Sequence, residues 1–452
     1  MADTFDLVVL GGGSGGLAAG IAAARHGARV ALLEPAELGG TCVNLGCVPK
    51  KAMWMAAGLA WQQPLAQAFG FSLSSPQDWR QLVARRQTYI GNVRASYRRQ
   101  LDALDITHIR ARGELLDAGL VQAGGQRLKA RHVLIATGAR ASRPQLEGAE
   151  LGIDSDGFFD LRAAPQRVAI IGGGYIGVEL AGILQALGSQ VQLLVRGRML
   201  ERFDRDLVGA LESDLSQRGI RVRNDCHVAG LQRDGRTLQV LLDDESRIAA
   251  DCVLWATGRR PNSDGIGLER VGVEREDSGH IRIDAHNATN IPGVHAVGDV
   301  GTDPALTPMA VMAGRVLAER LFGDTDVAPV DRRYVPTVVF SLPPLASVGM
   351  SEKQARECHG DAVQVFEKRF RPMGRALAGV AQQAFVKLVC AGPEQRVVGL
   401  HAMGEGFDEA LQGFALAMRL GATRQDFEST IAIHPGMAEE LLRVPEKQKA
   451  SS

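Results

Sequence analysis

Leu7-Val8-Val9-Leu10-Gly11-Gly12-Gly13-Ser14-Gly15-Gly16 and Val168-Ala169-Ile170-Ile171-Gly172-Gly173-Gly174-Tyr175-Ile176-Gly177 decide the fold. In both, an apolar run suited to a buried strand enters a G-x-G-x-x-G turn. The turn opens an Ala/Leu-rich helical stretch, which leads to a second apolar strand, Val30–Leu33 and Val191–Val195. Glycine permits the tight turn and lets backbone approach a pyrophosphate, whose charge then sits on free N–H groups at the positive helix end. One such motif is weak. Two in the same strand-turn-helix-strand frame predict two dinucleotide sites in an α/β protein with two Rossmann-like domains.

The end of each second strand separates the two sites. Glu34, 23 residues after Gly11, suits a ribose 2′-hydroxyl, so the first site suits FAD or NAD. The equivalent position is Val195, followed by Arg196, Arg198 and Arg202, which suit a 2′-phosphate and hence NADP; the bland alternative is a solvated basic loop. Gly177 points the other way, because a third glycine is commoner in NAD-type turns.

Outward from these units, residues 51–104 read as helical with a break near Pro64 to Pro76. Strands over 113–137 end in Ala136-Thr137-Gly138, and Cys252–Trp255 ends likewise in Ala256-Thr257-Gly258. A further segment leads to Val294-His295-Ala296-Val297-Gly298-Asp299, and alternating strands with two helices after Val335 predict a separate α+β domain. The division expected is 1–142, 143–262, 263–334 and 335–452, and the polar tail after Pro445 reads as loose. Fifty-one basic against 51 acidic residues give no net charge, so nothing favours nucleic acid or an anionic membrane. No apolar run nears the ~20 residues that span a bilayer, and the short run Leu7–Leu10 reads as a strand rather than a signal peptide, so the expected location is the cytoplasm. Arg94, Arg98 and Arg99 around Tyr97 read as a solvated helix face.

Six cysteines in 452 residues are too sparse for a secreted disulfide scaffold, and only Cys42 and Cys47 lie close together. In a regular helix that spacing leaves Cα atoms about 8.6 Å apart, beyond the roughly 7 Å a disulfide tolerates. A bridged pair therefore needs an irregular helix start, for which Gly46 and Pro49 are suited. A structural zinc would need two more ligands, and no second close pair exists, so no metal is expected; two inert buried thiols are the other bland reading. Beside two nucleotide sites, the pair suits a relay in which a nicotinamide hydride reaches a flavin and the flavin reduces a disulfide. Exchange with an external disulfide would also need an acid–base group, for which ten histidines compete.

Gly39-Gly40-Thr41-Cys42-Val43-Asn44-Leu45-Gly46-Cys47-Val48-Pro49-Lys50-Lys51, the twin glycine turns, both ATG turns, HAVGD (295–299), VPTVVF (335–340), QGFALAMRLGAT (412–423) and HPGMAEE (434–440) resemble the flavoprotein disulfide reductases over essentially the whole chain, and most closely those that reduce glutathione disulfide. The resemblance implies an FAD domain, an NADPH domain, a central domain and a C-terminal α+β dimerisation domain in a homodimer. It implies NADPH-dependent reduction of glutathione disulfide, in thiol redox homeostasis and detoxification. Cys42 matches the interchange thiol and Cys47 the thiol against the flavin. His434 matches the acid–base group and Glu439 its orienting carboxylate, both supplied across the dimer interface. Lys50 and Glu179 match an ion pair beside the flavin. Carried over in the same way, FAD would contact Gly11, Gly13, Ser14, Gly15, Gly16, Glu34, Thr41, Lys50, Ala136, Thr137, Gly138, Asp299 and Thr307. NADPH would contact Gly172, Gly174, Tyr175 as a lid, Ile176, Gly177, Glu179, Arg196, Arg202 and Gly258, with Arg198 competing for the second phosphate arm because the loop is a residue short. Ser14, Tyr97 and Arg315 would contact the substrate.

The chain departs from the family in two places. Leu17–Ala22 lacks the arginine that usually meets a glycine carboxylate, a charge-assisted contact worth about 1.5–3 kcal/mol, and Gly436 follows the His-Pro pair where Thr is usual. These leave room for a modified substrate such as a glutathione amide disulfide. Lys50, Val195 and the absence of C-terminal cysteines separate the chain from dihydrolipoamide dehydrogenase, mercuric reductase and the large thioredoxin reductases, and Ala18, Ile21 and Arg315 from trypanothione reductase. A redox-sensing flavoprotein without turnover is the alternative of another class, and the retained thiols with His434 and Glu439 argue against it.

Overall fold

The protein is described here as a computed structural model covering residues 3–72, 77–302 and 304–447. Both glycine turns sit where strand becomes helix. In the first unit, strand Asp3–Leu10 lies between Val30–Leu33 and Gln126–Ile135, parallel to both, with Leu7 opposite Val30 and His132, and Leu10 opposite Leu33 and Ile135. Thr107–Ile109 and Val294–Ala296 extend the parallel part, and Gly113–Asp117 and Leu120–Ala123 add an antiparallel edge. Strand Asp3–Leu10 is buried on both faces over Leu7–Leu10, which is why it reads as a continuous apolar run rather than an alternating one.

The second unit repeats the plan. Its parallel sheet runs in the order Arg221–Arg223, Gln190–Leu194, Arg167–Ile171, Cys252–Trp255, Ile153–Asp154. A three-stranded meander over Val228–Asp234, Thr237–Leu242 and Arg247–Ala250 covers one face. The second strand ends at Leu194, one residue before the expected Val195, whose N–H still closes the parallel ladder on Arg223 O at 2.8 Å. The units join through a two-stranded ribbon, Ala139–Ala141 against Arg259–Pro261, each strand following its own ATG turn. The C-terminal part is a five-stranded antiparallel sheet in the order Thr337–Val339, Leu345–Gly349, Arg396–Met403, Ala384–Ala391, Val363–Phe370, packed against helix Phe407–Arg419.

Two glycines set the packing that matters most for the site. Helices Ser14–Arg25 and Thr307–Phe322 cross so closely that a Cβ on Gly314 would lie 2.5 Å from Gly15 O. Leu17, Ala19, Ala313 and Leu317 bury their side chains around this crossing.

The expected break in the helical region is present: helix Cys47–Trp61 stops at Gln62, a short helix Gln63–Ala68 carries Pro64 in its first turn, where the missing N–H costs nothing, and helix Trp79–Ala103 begins only at its Asp78 cap; Pro76 lies outside the described residues. Two expectations are corrected. The tail is not loose through Lys447, whose ammonium meets Asp206 at 2.7 Å and Glu367 at 3.3 Å; residues 448–452 lie outside the described residues. The basic face of helix Trp79–Ala103 is not simply solvated: Arg94 donates to Asn44 Oδ1 at 2.6 Å and Arg98 to Glu37 at 2.8 Å, while Arg99 is exposed. Among the described residues no helix is long and apolar enough to cross a membrane.

Candidate active site

Gly46 breaks the cysteine segment into two helices, Gly40–Leu45 and Cys47–Trp61, with φ −149° and ψ −118° at the break. This is the irregular start that the spacing required. Asn44 secures it by donating from Nδ2 to Gly40 O at 2.9 Å and to Leu38 O at 3.2 Å, and its Oδ1 takes the Arg94 bond. Cys42 and Cys47 are described as two free thiols, one of the two forms that a redox-active pair alternates between. The two sulfurs are hydrogen-bonded to each other, and Cys47 Sγ lies 3.5 Å from Thr307 Oγ1. The helix crossing at Gly15 and Gly314 is what brings the N-terminus of Thr307–Phe322 to this point.

The two thiols titrate in opposite directions. The hydrogen bond from Cys42 pulls Cys47 down to about 6, helped by Thr307 and the charge of Lys50, against the opposing effects of burial and Glu179. The Cys47 sulfur and burial push Cys42 up, while the hydroxyls of Thr307 and Ser14 pull it down. The arrangement is thus a thiolate at Cys47 held by a protonated Cys42. Tyr97 lies close enough to Cys42 that the sulfur's charge, after burial, raises its phenol.

Lys50, on the Cys47 helix, donates to Glu179 Oε1 at 2.8 Å, and Glu179 also accepts from the Phe340 N–H at 2.8 Å. Glu179 is buried and Lys50 half-buried, with side chains 5% and 13% exposed, a placement tolerated because each charge is paired and hydrogen-bonded. This pair ties the first unit to the second at the thiols. Tyr175, 46% exposed, stands over the same region, within electrostatic reach of Cys47, Glu179, Asp299 and Arg259.

The first glycine turn fits a diphosphate. A Cβ on Gly11 would lie 2.3 Å from Ala136 O and one on Gly16 2.0 Å from Gly11 O, so both are required by close backbone packing. At Gly13 nothing comes nearer than Gly40 Cα at 3.9 Å, and no side chain caps helix Ser14–Arg25, so its first N–H groups have no side-chain acceptor. Glu34 accepts from the Gly12 and Ala36 N–H groups, both at 2.8 Å, which aims its carboxylate at the turn. Thr41 is exposed beside it. Thr137 donates to Asn262 O at 2.8 Å, and Gly138 takes φ +66°. Asp299 has no hydrogen bond or ion pair among the described residues, and burial pushes its carboxyl up; it is an acceptor in need of a polar ligand, as a ribityl chain would be.

The second turn has the same build with different chemistry. A Cβ on Gly177 would lie 2.2 Å from Gly172 O, so this glycine is a packing requirement and says nothing about which nucleotide binds. At Gly174 nothing lies within 4 Å, Gly258 takes φ +120°, and helix Tyr175–Ala186, with Ile176 in its first turn, again lacks a side-chain cap. Val195, at the position of Glu34, is buried against Gly173 and offers no carboxylate. Arg196, Arg198 and Arg202 are all exposed, with no ion pair among the described residues. Arg223, which the sequence reading missed, sits beside them, opposite Leu194 in the parallel ladder.

His434 bonds Glu439 through Nδ1 at 3.0 Å, and the Gly436 N–H fixes the same carboxylate at 2.9 Å. These bonds lower Glu439. The histidine is 77% exposed and has no hydrogen bond to either thiol of its own chain. Around it Ile431 and Ile433 are 94% and 85% exposed, an apolar strip without cover in a single chain. Arg315, next to Gly314, is exposed just over two helical turns beyond Thr307. Among the described residues no group of three His, Cys, Asp or Glu side chains is arranged to hold a metal.

Residues 5–314 match the family model for Pyridine nucleotide-disulphide oxidoreductase, and residues 335–445 match that family's dimerisation domain. The chain is 41% identical over 440 residues to the glutathione reductase of Burkholderia cepacia, covering 97% of this chain and 98% of that one. It is 40% identical over 456 residues to the glutathione reductase of Schizosaccharomyces pombe, with the same two coverages. With the glutathione reductase of Yarrowia lipolytica the identity is 38% over 461 residues, again across 97% and 98% of the two chains.

Proposed function

The chain belongs to the pyridine nucleotide-disulphide oxidoreductase family, and on that premise we propose that it is a homodimeric enzyme that uses NADPH and FAD to reduce glutathione disulfide to two molecules of glutathione. The observation that carries this reading is the dithiol: Cys47 held as thiolate by Cys42, Thr307 and Lys50, at the meeting point of two glycine turns of opposite 2′ chemistry. Bound FAD would supply the relay of two electrons from a nicotinamide hydride to the Cys42–Cys47 disulfide.

The chain's own residues account for the remainder. Gly11, Gly13, Ser14, Gly15 and Gly16 free the backbone N–H groups for the FAD diphosphate, with Glu34 on the ribose and Asp299 on the ribityl chain. Gly172, Gly174 and Gly177 do the same for NADPH, Tyr175 covers the nicotinamide site, and Arg196 and Arg202 hold the 2′-phosphate. Opening the disulfide leaves Cys47 as thiolate and Cys42 as thiol. Cys42 is pushed up by its neighbour, so it needs a base to attack, and His434 of the second subunit, oriented by Glu439, takes its proton. The Cys42 sulfur then bonds one sulfur of glutathione disulfide and the S–S bond of the substrate breaks. His434 returns the proton to the departing glutathione thiolate. Cys47 attacks Cys42 Sγ, the mixed disulfide breaks, and the second glutathione leaves as its thiolate, which takes a proton from solvent, restoring the Cys42–Cys47 bond. Ser14, Tyr97 and Arg315 line the substrate side.

The exposed strip at Ile431 and Ile433 supports the dimer, since it places an uncovered apolar surface beside a histidine that does not serve its own chain's thiols. The ribbon between Ala139–Ala141 and Arg259–Pro261 supports domain limits at 1–142 and 143–262, followed by 263–334 and 335–452. A thiol pair that must cycle through its reduced form supports a reducing compartment, the cytoplasm. The test is anaerobic: NADPH or NADH is added to the holoenzyme, the long-wavelength absorbance of a thiolate against the flavin is followed, and glutathione disulfide is then added. Reduction by NADPH well ahead of NADH and reoxidation by glutathione disulfide are expected. Failure of glutathione disulfide to reoxidise the enzyme refutes the reading.

A further inference from the structure

The loop bearing Arg196, Arg198 and Arg202 is anchored at its middle. Met199 and Leu200 are buried, Leu200 adopts φ +48° and donates its N–H to Gly173 O at 2.8 Å, the Asp225 N–H reaches Gly197 O at 3.1 Å, and the Arg205 guanidinium donates to Leu200 O and, at 3.4 Å, to Met199 O. Its far end, where Arg205 itself opens a helix, is held from another part of the molecule. There the chain passes into Asp204, the cap of helix Arg205–Gln217, whose Oδ1 accepts from the Asp206 N–H at 3.1 Å. Asp204 is 3% exposed, and what faces it comes from the C-terminal domain: Lys387 Nζ, from the sheet, lies 2.9 and 3.0 Å from its two oxygens, and the Glu352 N–H, at the start of helix Glu352–His359, meets Oδ2 at 3.1 Å.

Lys387 is 1% exposed and is also bonded to Asp206 at 2.7 Å and Glu352 at 2.8 Å. Lys447 closes the group by meeting Asp206 and Glu367. A buried ammonium with three carboxylates around it fixes geometry tightly, because moving any member strands a charge out of water. A second bond secures the same helix two turns on, Gln382 Nε2 to Asp214 Oδ1 at 2.8 Å, with Arg218 on the same carboxylate at 2.9 Å. The helix that leaves the arginine loop is therefore fastened at two points to a different part of the molecule.

We propose that Lys387 is a positioning residue for nucleotide choice: through Asp204 the C-terminal domain holds the arginine loop of its own chain in the shape that receives a 2′-phosphate. Buried in the sheet, Lys387 does not touch the nucleotide. It acts on discrimination, since the loop meets only the 2′ substituent while the glycine turn meets the diphosphate. The inference rests on the NADPH reading of this site.

The experiment is calorimetric titration of the holoenzyme with adenosine 2′,5′-bisphosphate and with 5′-AMP, in the unaltered protein, Lys387→Met and Asp204→Asn. Asn is as good a helix cap as Asp, so Asp204→Asn keeps the helix start and gives the answer if Lys387→Met does not fold. Both variants are expected to bind the bisphosphate about tenfold more weakly, as when only about a tenth of the loop population stays competent, with 5′-AMP unchanged within about twofold. If the unaltered protein does not prefer the bisphosphate, the NADPH reading itself fails. If it does and the folded variants keep that preference, or lose both ligands by the same factor, the positioning role is overturned.

Discussion

Removing the Cys42 thiol should raise the pH at which Cys47 becomes a thiolate. The Cys47 thiol, ordinarily at 9.0, is drawn down to about 6, and the largest cause is the hydrogen bond from Cys42. At pH 7 a group at about 6 is about nine-tenths ionised, whereas at its ordinary value it would be about one-hundredth ionised. Because the shift is downward, the thiolate is present above pH 6 and is lost as pH falls through that value. Titrating the two-electron-reduced holoenzyme anaerobically, with the long-wavelength thiolate absorbance as signal, should give a midpoint near 6 in the unaltered protein. In Cys42→Ala the remaining thiol can be titrated without prior reduction, and its midpoint should rise by about one unit or more, each unit being about 1.4 kcal/mol between the two forms. Thr307→Val removes the next largest contribution and Lys50→Met the one after it, so both should raise the midpoint by less than Cys42→Ala. An unaltered protein titrating near 9, or a Cys42→Ala midpoint equal to the parent's, would refute the argument that the thiol pair sets its own acidity.

His434→Gln should cut turnover of glutathione disulfide by about 10²–10⁴, the usual worth of general acid–base catalysis, while stopped-flow reduction of the enzyme by NADPH keeps its rate; Glu439→Gln should give a smaller loss of the same kind. Arg196→Leu and Arg202→Leu should each raise the KM for NADPH about ten- to a hundredfold, from about 1.5–3 kcal/mol for a charge-assisted bond, leaving the KM for NADH unaltered in steady-state assays. Gly314→Ala should lower the thermal midpoint and release flavin on heating, since its Cβ would meet Gly15 O at 2.5 Å and overpacking of this kind costs about 1–3 kcal/mol.

The parts legible in the sequence were those whose chemistry is local. Each glycine turn carries its own requirement, because the atoms that forbid a side chain at Gly16 or Gly177 belong to a residue five positions back. The contrast between Glu34 and Arg196 was readable for the same reason: both lie just past the end of a strand that pairs in parallel with the strand entering the turn. The break at Gly46 followed from a spacing too long for a regular helix. Gly177 misled as a nucleotide signal because sequence could not separate a glycine needed for binding from one needed for packing. The pairing of Arg94 and Arg98 with Asn44 and Glu37 was hidden by about 50 to 60 residues of chain between the partners.

Lys387 shows most clearly where sequence reasoning stops. Ala-Phe-Val-Lys-Leu-Val-Cys-Ala (384–391) reads as a strand with one polar residue, and alternation would send that residue to solvent. All eight residues are buried instead, because helix Arg205–Gln217 from the second unit covers the face that a free-standing sheet would expose. Only the gathering of Asp204, Asp206 and Glu352, which are scattered over some 150 positions, makes an ammonium tolerable there. None of these carboxylates is marked by spacing relative to Lys387. The thiols of this molecule are defined by residues close in sequence and the nucleotide loop by residues far away. Motif reading therefore reaches the chemistry of the reaction before it reaches the structure that holds its nucleotide loop in place.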